Sequence, residues 1–118
     1  MKCAVAIPKS EFINKAAVTF EGDVGGRLVQ GVVAFAGGRY FAYQNLCKHV
    51  PINLDCGDGN VLNEEGTRFQ CHMHGAIYEF ETGECTAGPC VGAQLNTFTV
   101  IDDGSRIVVE LPENPELV

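Results

Sequence analysis

The sequence predicts an all-β fold, an antiparallel sandwich or small barrel. Short β-rich apolar runs recur at close spacing, and no long apolar stripe of helical period appears. Gly is abundant, at 14 of 118 residues, and falls between the runs as turn punctuation. Many short strands separated by turns favour a closed or layered antiparallel sheet.

Taken in order, the candidate strands are Cys3–Ile7, Ala16–Phe20, Leu28–Phe35, Tyr40–Gln44, Arg68–Gln70, Ala76–Phe80, Thr97–Ile101 and Ile107–Leu111. Gly25-Gly26, Gly57-Asp58-Gly59 and Thr82-Gly83 mark turns. Ala36-Gly37-Gly38-Arg39, between two apolar runs, predicts a tight hairpin, and Asp102-Asp103-Gly104-Ser105 predicts another. A short helix is expected over Lys9–Lys15, with Ser10 as its N-cap. The tail 112–118, with Pro112 and Pro115, is expected to be poorly ordered. No internal repeat or linker divides the chain, so residues 1–118 are read as one domain.

Composition excludes several functions. With 8 Lys+Arg against 15 Asp+Glu the formal charge is −7, which opposes nucleic-acid backbones and anionic lipid alike. No apolar run approaches the ~20 residues of a membrane span. The N-terminus has too short an apolar stretch for a signal peptide, and a cytoplasmic location is expected. Six cysteines in such a chain call for something other than a disulfide framework.

The three histidines, His49, His72 and His74, each lie within a few residues of a cysteine. Cys47-Lys48-His49 is followed, after 21 residues, by Cys71-His72-Met73-His74-Gly75. Read as ligands, these are C-x-H and C-x-x-H. Two loops, each supplying one thiolate and one imidazole, suit a compact metal centre. A tetrahedral structural zinc site is one reading, although zinc fingers usually place like ligands together. A mixed pair per loop suits a binuclear centre, with thiolates on one iron and imidazoles on the other.

These two boxes resemble those of Rieske-type [2Fe–2S] ferredoxins, the low-potential soluble proteins that serve ring-hydroxylating oxygenases. Tyr78 stands where that family commonly has an aromatic residue. Gly88-Pro89 is similar to its third, proline-containing loop, which covers the cluster. The resemblance implies a Rieske-like sandwich or small barrel whose cluster-binding part, about residues 45–91, is formed by two loops. It implies one [2Fe–2S] cluster, with Cys47 and Cys71 on one iron and His49 and His74 on the other. Tyr78, Gly88 and Pro89 would stand around it. Two ferric ions, two sulfides and two thiolates sum to about zero charge, so adding an electron is easier than with four thiolates.

The chain departs from the high-potential branch. Pro51-Ile52 and Met73 stand where those proteins carry a disulfide between the boxes, and Ala76 replaces a serine that hydrogen-bonds the cluster. The expected potential is therefore near the bottom of the roughly −150 to +300 mV Rieske range. The long spacer resembles an acidic hairpin, Gly57 to Gly66.

Other residues have plainer readings. His72 lies out of frame for a ligand. Cys56, Cys85 and Cys90 read as small core residues, although Cys85 and Cys90 flank the cover loop and oxidation would let them pair. Cys3 is a strand residue, and Lys48 is either an exposed loop lysine or a contact for reduced cluster and partner. Phe41, Tyr43, Phe69 and Phe80 read as core. Asp55, Asp58, Glu64, Glu65, Glu79, Glu81 and Glu84 form either a docking rim or ordinary solvated surface.

The resemblance implies a one-electron carrier between a flavin reductase and a terminal oxygenase or similar acceptor, with no catalysis of its own. An accessory subunit, as in nitrite reductase, is the second reading; a structural zinc module is the third. A terminal oxygenase is disfavoured, because its mononuclear iron needs two His and a carboxylate and only His72 remains.

Overall fold

The structure is a computed structural model and describes residues 3–46, 54, 61–71 and 75–111. The turn at 57–59 and the tail 112–118 lie outside the described residues. Nine strands are described: β1 (Cys3–Pro8), β2 (Ala17–Val24), β3 (Arg27–Ala36), β4 (Arg39–Gln44), β5 (Phe69–Gln70), β6 (Ile77–Tyr78), β7 (Cys85–Ala87), β8 (Thr97–Asp102) and β9 (Arg106–Leu111). Six form an antiparallel sheet in the order β1-β9-β8-β4-β3-β2, and β5-β6-β7 form a second, smaller sheet. β1 also approaches β2, so the large sheet curls nearly into a barrel.

The expected hairpin at Gly37-Gly38 is present, with Ala36 facing Arg39 across the turn. Both glycines have positive φ, 58° and 78°, the geometry of the type I′ turn that matches strand twist. The expected strands are found with shifted ends. Ala16–Phe20 extends to Val24, because all eight residues of β2 pair with β3. Ala76–Phe80 contracts to β6, because the ladder to β7 shifts register between Ile77 and Tyr78.

The helix expected over Lys9–Lys15 is instead one 3-10 turn, Lys9–Phe12, with Pro8 rather than Ser10 at its cap position and no side-chain cap bond. Only Phe12 turns inward, whereas Ile13 is exposed. A single anchor cannot hold a longer helix on the sheet. The turn is tied instead to the β8–β9 hairpin. Lys9 N–H donates to the Ser105 carbonyl, and Lys9 Nζ lies 2.8 Å from Asp102 Oδ1. Hydrogen bonding from Lys9, then from the Gly104 N–H, holds the Asp102 carboxyl below its usual range.

Two buried clusters share β3 and β4 between them. Inside the curled sheet lie Ile7, Phe20, Val29, Val33, Ala42, Phe98, Ile107 and Val109. On its other face Val32, Ala34 and Tyr43 pack with Leu54, Phe69, Cys71, Tyr78 and Phe80. A strand covered on both sides needs apolar residues on both, which is why Gly31-Val32-Val33-Ala34-Phe35 runs without polar alternation. The aromatic reading holds here: Tyr43, Phe69 and Phe80 are buried, and Phe41 packs at the cluster's edge.

Tyr43 joins the two sheets. Its ring meets Phe69 edge-on at 5.8 Å, and its hydroxyl donates to the Phe80 carbonyl at 2.7 Å. Burial, aided by the nearby Glu81 charge, pushes its pKa up to about 12. The folded state thus holds the neutral phenol, while an unfolded tyrosine ionises near pH 10. This contribution is complete below that pH and is lost as pH rises through about 12. Replacing Tyr43 by Phe leaves the Phe80 carbonyl unpaired and is expected to cost about 1–3 kcal/mol at neutral pH. It should also flatten the alkaline fall in stability, as followed by urea unfolding across pH.

Candidate metal centre

The second box is a hairpin loop between β5 and β6, closed at its neck. Cys71 N–H donates to the Ala76 carbonyl at 2.8 Å, and Gly75 N–H donates to the Cys71 carbonyl at 2.8 Å. Cys71 is fully buried, beside Leu54, Tyr78 and Phe69 in the same cluster. A thiolate at such depth is tolerable only against a cation. As a neutral thiol Cys71 is a small core residue, and its soft sulfur is of the type that iron–sulfur ligation uses once ionised. His72, Met73 and His74 lie outside the described residues, as do Cys47, Lys48 and His49. Among the described residues, no group of three or more metal-binding side chains is gathered.

What is described of the first box is the support at its two ends. β4 leads into Gln44 and Asn45, both buried. Asn45 N–H donates to the Gln30 carbonyl at 2.9 Å, which fixes the exit from the sheet. Its side-chain oxygen then accepts the Leu54 N–H at 2.8 Å, nine residues on. Gln44 Oε1 accepts from Asn96 Nδ2 at 2.7 Å, bracing the same exit from the residue that precedes β8. Leu54 is wholly buried in the cluster that contains Cys71. The described residues on either side of Cys47 and His49 are thus tied to each other, and Leu54 packs in the cluster of the second box.

Sequence reasoning missed Asn45. A polar residue just after an apolar strand reads as a loop residue, and nothing local marks its bond to Leu54. Its burial is the signature of a bracing role, because buried amides are kept only when hydrogen-bonded.

The third loop follows β7, a strand the sequence did not announce. Ile77 pairs with Ala87 and Tyr78 with Cys85, so β7 flanks the second box. Gly88 lies hard against that box: a Cβ there would sit 2.7 Å from the Ala76 Cα, and its φ is +93°. Only glycine meets both demands, backbone contact and left-handed geometry. Pro89 is exposed beside it. Tyr78 is fully buried, and its hydroxyl lies 3.2 Å from Cys90 Sγ.

The acidic residues are unequal. Glu79 Oε2 is paired with Arg68 Nε at 2.8 Å across the β5–β6 hairpin. Glu64, Glu65, Glu81 and Glu84 are exposed, while Asp55 and Asp58 lie outside the described residues, as does Cys56. Substituting Asn45 by Ala strands the buried Leu54 N–H and should lower stability by about 1–3 kcal/mol. The same variant should retain less metal per chain after purification than the parent, as measured by iron analysis.

A family model described as the Rieske [2Fe-2S] domain matches residues 5–101. No match is found among curated proteins. Among solved structures the chain is similar to the ferredoxin of carbazole 1,9a-dioxygenase from Nocardioides aromaticivorans IC177. The TM-score is 0.66 at 28% identity, over 90% of this chain and 95% of that one. A chain in the complex of reduced oxygenase and oxidized ferredoxin in carbazole 1,9a-dioxygenase matches with TM-score 0.69 at 18% identity, over 96% and 97% of the two chains. The terminal oxygenase of carbazole 1,9a-dioxygenase from Novosphingobium sp. KA1 matches with TM-score 0.65 at 18% identity, but only 29% of that chain is covered. Those last two likenesses are of fold. The paired Cys/His boxes, the all-β frame and the glycine-tight loop over the second box agree with the family match over most of the chain: the protein belongs to the Rieske [2Fe–2S] domain family, whose cofactor is one [2Fe–2S] cluster per chain.

Proposed function

We propose that the chain is a one-electron carrier that takes electrons from a flavin reductase and passes them to a terminal oxygenase. The observation that carries this reading is the likeness to the ferredoxin of carbazole 1,9a-dioxygenase, at 28% identity over 90% of this chain and 95% of that one. Residues 1–118 then act as one domain, in the cytoplasm. Cys47 and Cys71 hold one iron, and His49 and His74 hold the other. The cluster, when bound, supplies a site that gains and loses a single electron at low potential.

The chain's own residues would bind, shield and orient that site. Leu54, Phe69 and Tyr78 exclude water from the Cys71 side. Gly88 holds the third loop against the second box, and Pro89 stands beside it in solvent. From Cys85 to Ile101 the sequence carries no charge, and within that stretch Thr86–Pro89, Val91 and Gly92 are exposed. An uncharged apex bordered by Glu81 and Glu84 suits a partner that meets the apex by shape and the rim by positive charge.

Two experiments test the proposal. Cys47→Ser and His74→Ala should each abolish the visible absorption and the reduced-state EPR signal, whereas His72→Ala should retain both. Loss of colour in the His72 variant would overturn the ligand frame. Stopped-flow electron transfer to a terminal oxygenase should slow several-fold as salt rises from about 0.01 to 0.15 M, where the Debye length falls from about 30 to 8 Å. A rate independent of salt would remove the acidic rim from the docking step.

A further inference from the structure

The third loop contains two thiols that metal ligation does not use. Cys85 Sγ and Cys90 Sγ lie 3.3 Å apart. Backbone bonds pin both residues: Cys85 N–H donates to the Ala93 carbonyl at 2.8 Å, Gly92 N–H to the Cys85 carbonyl at 3.0 Å, and Ala93 N–H to the Cys90 carbonyl at 2.9 Å. The separation is therefore set by the loop frame rather than by two independent side chains. Cys85 is buried and Cys90 is half-buried, so an external reagent reaches Cys90 first.

We propose that Cys85 and Cys90 form a dithiol modification site, closed to an intramolecular disulfide by a small-molecule disulfide of the glutathione type. The Cys90 thiolate attacks one sulfur of oxidised glutathione. The S–S bond breaks, one glutathione thiolate leaves, and Cys90 carries a mixed disulfide. Cys85 sulfur then attacks Cys90 sulfur, and its proton goes to the second departing glutathione thiolate. Two protein thiols are oxidised, and one small disulfide is reduced to two thiols. Bonding needs an S–S distance of about 2.05 Å, within reach of a side-chain rotation at the half-buried Cys90. Burial, together with the neighbouring Cys90, pushes the Cys85 thiol up to about 11. That makes Cys85 a poor attacker from solution and leaves it the second, intramolecular step. In a reducing compartment the pair stays open and closes only under oxidative load.

Closure also bears on the metal centre, a consequence that rests on the proposed cluster. Closure draws the Cys90 sulfur toward Cys85 and so moves the partner of the Tyr78 hydroxyl, which lies 3.2 Å from it in the dithiol form. It also stiffens the loop whose Gly88 presses on Ala76. Hydrogen bonding around a cluster is a lever on its potential.

The test treats the holoprotein with oxidised glutathione, alkylates it with iodoacetamide and cleaves after glutamate. The peptide Cys85–Glu110 contains both thiols and no other cysteine. It should resist alkylation, weigh two hydrogens less than the dithiol form, and gain two alkyl groups after reduction. Cys85→Ser should instead keep a stable glutathione adduct on Cys90. Two alkylated thiols, or a persistent Cys90 adduct in the unmodified sequence, would overturn the site. The midpoint potential of the cluster should differ between the dithiol and disulfide forms; an unchanged potential overturns the link through Tyr78. Absence of cluster absorption in both forms counts against the carrier reading while the peptide result stands.

Discussion

The structure depends on closing the loop that follows Cys71 without leaving its own backbone polar groups stranded. Cys71 shows how this is met. Its side chain is fully buried, yet its N–H is bonded to the Ala76 carbonyl and its carbonyl receives the Gly75 N–H. The loop therefore closes on itself at the neck, and no neighbouring strand is needed to satisfy it. Among the described residues flanking the first box, Asn45 and Leu54 are joined across nine positions. A side chain does the work there, with Asn45 Oδ1 replacing a backbone carbonyl as acceptor for Leu54. The two boxes thus use different chemistry for the same closure.

Closure alone would not aim the donors. The loops also need a floor that does not yield, and the double-sided packing of β3 and β4 provides it. Val33 and Ala42 face one cluster while Val32 and Tyr43 face the other, so neither strand can shift without opening both. Side chains held on rigid strands are positioned more accurately than those held by loops. Removing a large aromatic from such a core typically costs about 3–5 kcal/mol. Phe69, which touches Tyr43 and Phe80 at centroid distances of 5.8 and 4.8 Å, is the residue where that cost would reach the site directly.

Sequence and structure agree where local chemistry decides the outcome. β1, β8 and β9 are legible because β-rich runs end at turn residues, and the Gly37-Gly38 turn because both glycines are required there. The Cys/His boxes are legible as a pattern, although of the four proposed ligands only Cys71 falls among the described residues. What was not legible is tertiary. β7 is three residues long, with Thr86 and Ala87 exposed, and exists because β6 offers an edge. Asn45 is polar and buried for a partner nine residues away. Cys85 and Cys90 read as packing residues that oxidation would let pair, and the folded loop supplies the distance, 3.3 Å between their sulfurs. The helix expected at Lys9 failed for the converse reason: local signals favoured it, but Phe12 was its one buried contact.

The long spacer between the boxes shows the same division between pattern and packing. As sequence it resembles an acidic hairpin appended to the cluster region. In the structure its part over residues 61–70 is a hairpin that extends β5. Asn63 N–H donates to the Arg68 carbonyl, Gln70 N–H donates to the Val61 carbonyl, and Leu62 bridges to Phe69. Its tip is a turn built on Asn63, whose side-chain oxygen accepts the N–H groups of Thr67 and Arg68. Val61 and Phe69 enter the cluster with Cys71, while Glu64 and Glu65 at the tip face solvent. The base of the spacer is therefore core, and only its tip is available for contact. Changes at Glu64 alter surface charge, changes at Glu65 also remove the acceptor for Asn63 Nδ2 at the tip, and changes at Val61 or Phe69 act on the cluster that contains Cys71.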